Sequence, residues 1–136
     1  MSPKLNCLLT KANNLGASDL HLIAGVPPAL RVNGEIILGD KDAITPDELR
    51  YMTSSLLNDE QGEKFKREWE LCISIFHDVA GRMRITIYQR NNTPELSIRF
   101  CGEKIRTRDE LGLPPRLDEF ARKPNGLILI TGPTGA

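Results

Sequence analysis

Two groups of residues in this chain have types and spacings suited to phosphate. The first closes the sequence: Gly126-Leu127-Ile128-Leu129-Ile130-Thr131-Gly132-Pro133-Thr134-Gly135-Ala136. A phosphate-binding loop reads G-x-x-x-x-G-K-[ST], on the turn between a buried strand and a helix. Gly132 fits the first glycine, and Pro133, Thr134, Gly135 and Ala136 fit the four variable places. The second glycine, the lysine and the hydroxyl residue would come next. Those groups complete the anion cradle, neutralise the β- and γ-phosphates and hold Mg2+. Turn residues Pro124-Asn125-Gly126 feed the apolar run Leu127 to Ile130, the pattern of a strand buried on both faces. The chain reads as the front piece of a nucleotide-hydrolysing protein.

The second group is basic: Arg82, Arg84, Arg90, Arg99, Lys104, Arg106 and Arg108, set against only Glu95 and Glu103. Met83, Ile85 and Ile87 alternate with Arg82, Arg84 and Thr86, and Leu96, Ile98 and Phe100 flank Arg99 in the next strand. With Asn91 to Pro94 as the loop, Arg90 faces Glu95 and Thr86 faces Arg99. Arg84 then lies diagonal to Arg99, about 7–8 Å away. Two guanidinium groups at that spacing repel unless an anion or carboxylate lies between them, and their planar forks suit polyphosphate oxygens. A solvated sheet face with weak surface ion pairs fits the same pattern. Register decides, because a slip of one residue moves these side chains to the other face.

The elements that must position these groups are legible from period and punctuation. Ser2-Pro3 starts a helix carrying Leu5, Leu8, Leu9, Ala12 and Leu15, which Gly16 stops. Strands are predicted over Leu20 to Ile23, Ala29 to Val32 and Glu35 to Leu38, the last two joined by an Asn33-Gly34 turn. Thr45-Pro46-Asp47-Glu48 is a capping box opening a helix that buries Leu49, Met52, Leu56 and Leu57. Asp59 is expected to cap a further helix that buries Phe65 and Trp69. Three strands follow, the first with Leu71, Ile73 and Ile75 on one side. Thr107 with Glu110 forms another capping box, and a short helix carries Leu117, Phe120 and Ala121. Strands and helices in this order predict an α+β fold, a mostly antiparallel sheet with helices against it.

Composition narrows the function classes. The 136 residues carry 18 basic and 18 acidic side chains, so overall charge recruits neither nucleic acid nor an anionic membrane. Aromatics are sparse, and the arginines lack the stacking partners of a nucleic-acid surface apart from Tyr88 and Phe100. No secretory signal or spanning apolar stretch is evident, so no direct membrane insertion is expected. Cys7, Cys72 and Cys101 lack metal-ligand spacing and fit reduced thiols. His21 and His77 stand apart from any ligand set, and no nucleophile elbow is present. Asp47, Glu48, Asp59 and Glu60 are helix-start residues that complement the dipole.

Ala17-Ser18-Asp19-Leu20-His21-Leu22, followed by Gly25-Val26-Pro27-Pro28-Ala29-Leu30-Arg31-Val32-Asn33-Gly34, closely resembles the N-terminal domain of type IV pilus retraction ATPases (PilT-like). These lie within the wider type II/IV secretion-ATPase family, GspE-like motors included. Gly81-Arg82-Met83-Arg84-Ile85, Ile98-Arg99, Leu111-Gly112-Leu113 and the terminal glycine turn extend the match in order. The resemblance implies a PAS-like domain over 1–110, a linker and short helix over 111–123, and the first strand and incomplete Walker A of a RecA-like domain over 124–136. It implies ATP and Mg2+ in the full-length protein, neither held tightly by this portion, and a homohexameric ring. It also implies an inner-membrane pilus platform as partner, no nucleic acid, and a cytoplasmic location peripheral to the inner membrane.

Arg84 and Arg99 best match the family arginines that reach ATP phosphates, with Arg82 beside them. The parent is expected to be an ATPase driving twitching motility, and this portion alone inactive. The early position of Ala17-Ser18-Asp19 fits retraction rather than extension motors, whereas Asn91 to Glu95 departs from a family loop that often holds glycine and arginine. The alternative reading is a stand-alone PAS-like module that binds a ligand or partner without ATPase activity.

Overall fold

The computed structural model describes residues 1–39, 42–102 and 106–132. Its elements run α1 (Pro3–Asn14), β1 (Asp19–Leu22), β2 (Ala29–Val32), β3 (Glu35–Leu38), α2 (Pro46–Ser54), α3 (Asp59–Glu68), β4 (Glu70–His77), β5 (Gly81–Arg90), β6 (Thr93–Phe100) and α4 (Arg116–Ala121). The strands form one antiparallel sheet in the order β3-β2-β1-β6-β5-β4. The α+β expectation holds.

Local chemistry explains where the helices begin. The Ser2 hydroxyl accepts from the Leu5 amide, and Pro3 occupies a position whose missing N–H costs nothing. Thr45 and Glu48 exchange side-chain and backbone hydrogen bonds as a complete capping box. Lys4 Nζ reaches Glu48 Oε1 at 2.7 Å, tying α1 to the start of α2. That lysine hydrogen bond, with the Thr45 amide behind it, holds the Glu48 carboxyl below its usual range.

At α3 the cap is Asn58, paired reciprocally with Gln61, rather than Asp59. Phe65 packs partly into the core, but Trp69 is 62% exposed, contrary to expectation. The reason is conformational: Trp69 caps the helix in a left-handed conformation (φ 61°), turning the chain directly into β4.

The core lies on one face of the sheet. Leu20, Ile98, Ile85 and Ile73 form one transverse row across four strands, and Leu22, Leu96, Ile87 and Leu71 the next. Leu5, Leu9 and Ala12 of α1 and Leu49 and Met52 of α2 close over them. His77 pins the β4–β5 turn to α1. Its Nδ1 accepts from the amides of Val79 and Ala80, so the ring proton sits on Nε2 and donates to Asn6 Oδ1 at 2.5 Å.

The apolar run Leu127 to Ile130 forms no strand, and Leu127 and Ile130 are 82% and 81% exposed. A both-faces-buried strand needs neighbours on each side, and none of the described strands pairs with it. Thr107 and Glu110 do exchange the capping-box bonds, but over a turn rather than a regular helix.

Asn91 and Asn92, at φ 49° and 59°, make a two-residue turn with Arg90 opposite Thr93. Both positions demand the left-handed region, which asparagine tolerates and glycine prefers. Asn92→Ala should therefore destabilise the chain by about 1 kcal/mol, while Asn92→Gly should be neutral or slightly stabilising. Urea midpoints of the two variants provide the check.

Candidate oxyanion-binding face

The tight turn resets the register of the arginine hairpin. Pro94 lies inside β6 rather than in the loop, so pairing runs two residues out of step with the sequence expectation. Arg90 faces Thr93, with Glu95 diagonal and its Oε1 3.7 Å from Arg90 Nη1. Thr86 faces Ser97. Arg84 faces Arg99 directly. A shift of two preserves every side chain's face, so the alternation survived while the diagonal pair became an opposed one.

Opposed residues hold their Cβ atoms about 4.5–5.5 Å apart, so the two guanidinium groups share one patch of surface. The row continues on both sides: Ser74 on β4, Arg84 on β5, Arg99 on β6, Asp19 on β1 and Arg31 on β2. Three arginines against one aspartate leave the row two positive charges in excess. α1, α2 and α3 pack against the other face through the apolar rows, and on this one Arg84 and Arg99 are exposed.

Asp19 organises one end. Its side chain, 9% exposed, accepts from Arg99 Nε at 3.0 Å and from the Ser18 hydroxyl at 2.9 Å, and pairs with Arg31 Nε at 3.4 Å. Burial pushes its carboxyl up, but the hydrogen bonds from Arg99 and Ser18 and the Arg99 charge outweigh that and hold it below the usual carboxylate range. A depressed folded-state value means the pairing contributes stability above the ordinary carboxylate range, about pH 4, and loses it as pH falls further. Asp19 is thus ionised at neutral pH.

Arg31 is committed elsewhere, its Nη1 donating to the Gly34 carbonyl at 3.0 Å and bracing the β2–β3 turn. The side chains of Arg84 and Arg82, by contrast, have no hydrogen-bond or ion-pair partner among the described residues. Arg82 sits one row along, opposite Phe76, with its carbonyl accepting from the Cys101 amide.

Asp19 was missed as a site residue by sequence reasoning, although it stood in view before Leu20. The available signal was its place two residues before His21 in an alternating strand, which puts both on the polar face. Next to that row, Ser97 Oγ lies 3.3 Å from His21 Nδ1. Farther along, burial and the adjacent Glu95 carboxylate push the Tyr88 hydroxyl up, so it stays protonated. Of the terminal group, Gly132 is exposed, and Pro133, Thr134, Gly135 and Ala136 lie outside the described residues. Among the described residues, no set of three or more His, Cys, Asp or Glu side chains is placed to hold a metal. Cys7, Cys72 and Cys101 are free and exposed.

Two hollows, of about 580 and 600 Å3, lie by α2–α3 and by the Ser18–Cys101 end of the sheet. Neither includes Arg84 or Arg99. Both arginines are exposed side chains on the described surface.

No protein-family model matches the chain. It is 31% identical over 129 residues to the type IV pilus retraction ATPase PilT of Pseudomonas aeruginosa, covering 95% of this chain and 38% of that protein. It is 32% identical over 120 residues to the type IV pilus ATPase PilU of the same organism, covering 88% and 31%. The crystal structure of the pilus retraction motor PilT with bound ADP superimposes with a TM-score of 0.76 at 31% identity, over 96% of this chain and 38% of that one. The chain therefore spans about a third of the length of the curated relatives it matches. No helix among the described residues is long and apolar enough to cross a membrane. This chain is homologous to the N-terminal portion of the PilT and PilU type IV pilus ATPases.

Proposed function

We propose that this chain is the nucleotide-sensing and oligomerisation domain of a hexameric ATPase that powers type IV pilus retraction. Residues 1–110 form its PAS-like domain, 111–123 a linker, and 124–136 the start of a RecA-like domain that carries the rest of the phosphate-binding loop. The protein works in the cytoplasm, against an inner-membrane pilus platform. The observation that carries this reading is the opposition of Arg84 and Arg99 across β5 and β6, on the sheet face opposite the one that α1, α2 and α3 pack against.

Electrostatics gives that opposition a function. Two guanidinium charges about 6 Å apart repel by less than about 1 kcal/mol in open solvent, but by about 3 kcal/mol once a covering surface lowers the effective dielectric toward 20. Closure over an empty site is therefore disfavoured. Closure over a triphosphate is favoured, because its oxygens take the guanidinium N–H donors that water would otherwise lose. ATP supplies the phosphates, and this chain supplies the charge that reports their presence.

The test is hydrogen exchange on the full-length protein. Adding a non-hydrolysable ATP analogue should slow exchange of the amides of residues 82–84 and 97–99, and Arg84→Ala should abolish that protection. Unchanged exchange on this face at saturating analogue would refute the reading.

A further inference from the structure

We infer that Asp19 is the positioning carboxylate of the arginine pair: it grips Arg99 by Nε and leaves both Nη groups available to an oxyanion shared with Arg84. The inference rests on the reading of Arg84 and Arg99 as phosphate-sensing, and deepens it by naming the group that sets their geometry.

A guanidinium can offer its Nε side or its Nη1–Nη2 end. Arg99 donates from Nε to Asp19 Oδ1 at 3.0 Å, and its Nη groups have no partner among the described residues. The side chain is 56% exposed, so without this contact it would sample many rotamers. Asp19 is itself held from the far side. Ser18 and Arg31 both reach its Oδ2, and Arg31 cannot swing away without giving up the Gly34 carbonyl. The carboxylate is therefore a fixed post rather than a mobile counter-ion. Register supplies the last constraint, because Asp19 pairs with Arg31 on one side and Arg99 on the other, and Arg99 with Arg84 beyond.

A carboxylate beside a phosphate site could instead act by competing for Arg99, and the two roles give opposite results. The experiment titrates this chain with tripolyphosphate at low ionic strength, following amide and arginine Nε–H signals by NMR. If Asp19 positions Arg99, then Arg99→Ala weakens binding about tenfold in the otherwise unaltered chain but less than about threefold in an Asp19→Ala background. Asp19→Asn, which keeps an oxygen acceptor for Nε, should restore most of the Arg99 contribution. The Arg99 Nε–H signal should stay protected from solvent exchange when tripolyphosphate is bound.

An equal or larger cost of Arg99→Ala without Asp19, or loss of Nε–H protection on binding, overturns the proposal and makes Asp19 a competitor. If Asp19→Ala does not fold, the Nε–H protection and the Asp19→Asn comparison carry the same decision. A different failure marks the underlying reading: if neither Arg84→Ala nor Arg99→Ala alters tripolyphosphate binding, both ideas fall together.

Discussion

On the proposed function, alanine at Arg84 or Arg99 should lower the ATP turnover of the full-length protein by about 10²-fold or more, with a much smaller loss of ATP affinity. Most of the binding energy for nucleotide would come from the phosphate-binding loop on the RecA-like domain. On that reading the two arginines would act on the charge that builds on the transferring phosphoryl group, so their removal would be felt in kcat more than in binding. Arg84 should be the more sensitive position, because its side chain has no ion-pair partner among the described residues, whereas Arg99 is paired with Asp19. Arg84→Lys keeps the charge and loses the planar fork, so it should recover only part of the rate.

Arg67→Ala is the matched control. Arg67, its side chain 71% exposed, pairs among the described residues with Glu68 on α3, the helix whose Phe65 packs against the core face of the sheet. Turnover within twofold of the unaltered protein for both Arg84→Ala and Arg99→Ala would remove the arginine pair from the mechanism. If domain closure encloses the pair as proposed, raised ionic strength should not mimic the substitutions, because enclosed charges are screened far less than exposed ones.

How much of this was visible in the sequence depends on which physical rule each residue obeys. Caps are local, and Ser2, Thr45 and Glu48 took the positions their side chains dictate. Alternation is also local, and it put Met83, Ile85 and Ile87 inside and Arg82 and Arg84 outside. Register is not local. Pro94 suggested a loop, but the turn was set by two asparagines able to hold a left-handed backbone, and that choice moved every cross-strand partner by two. The site inherits the same limit. Arg84 and Arg99 were legible as neighbours, but the β1–β6 pairing that brings Asp19 to Arg99 joins residues eighty positions apart, which no spacing in the sequence reveals. Trp69 shows the converse error, where hydrophobicity suggested burial and the backbone needed a corner.

The alternation that displays the arginines also predicts where the fold is most fragile. Ile85 lies between Arg84 and Thr86 on β5, fully buried, with Ile73 on one side and Ile98 on the other. Ile85→Ala removes three methyl or methylene groups from inside that row, between Ile73 and Ile98, and leaves a gap among buried neighbours. The expected cost is about 3–4 kcal/mol, the transfer term plus an unfilled cavity. For a chain of this size that is a large share of the stability, which is typically about 5–15 kcal/mol. The measurement is urea unfolding followed by circular dichroism, and the expected result is a lower midpoint with an unchanged slope. A loss below about 1 kcal/mol would mean that the row repacks, and that the sheet under the arginines is softer than its burial implies. Below the unfolding transition the variant should bind tripolyphosphate like the unaltered chain, because Arg84 and Arg99 keep their register through the backbone ladder rather than through the isoleucine between them.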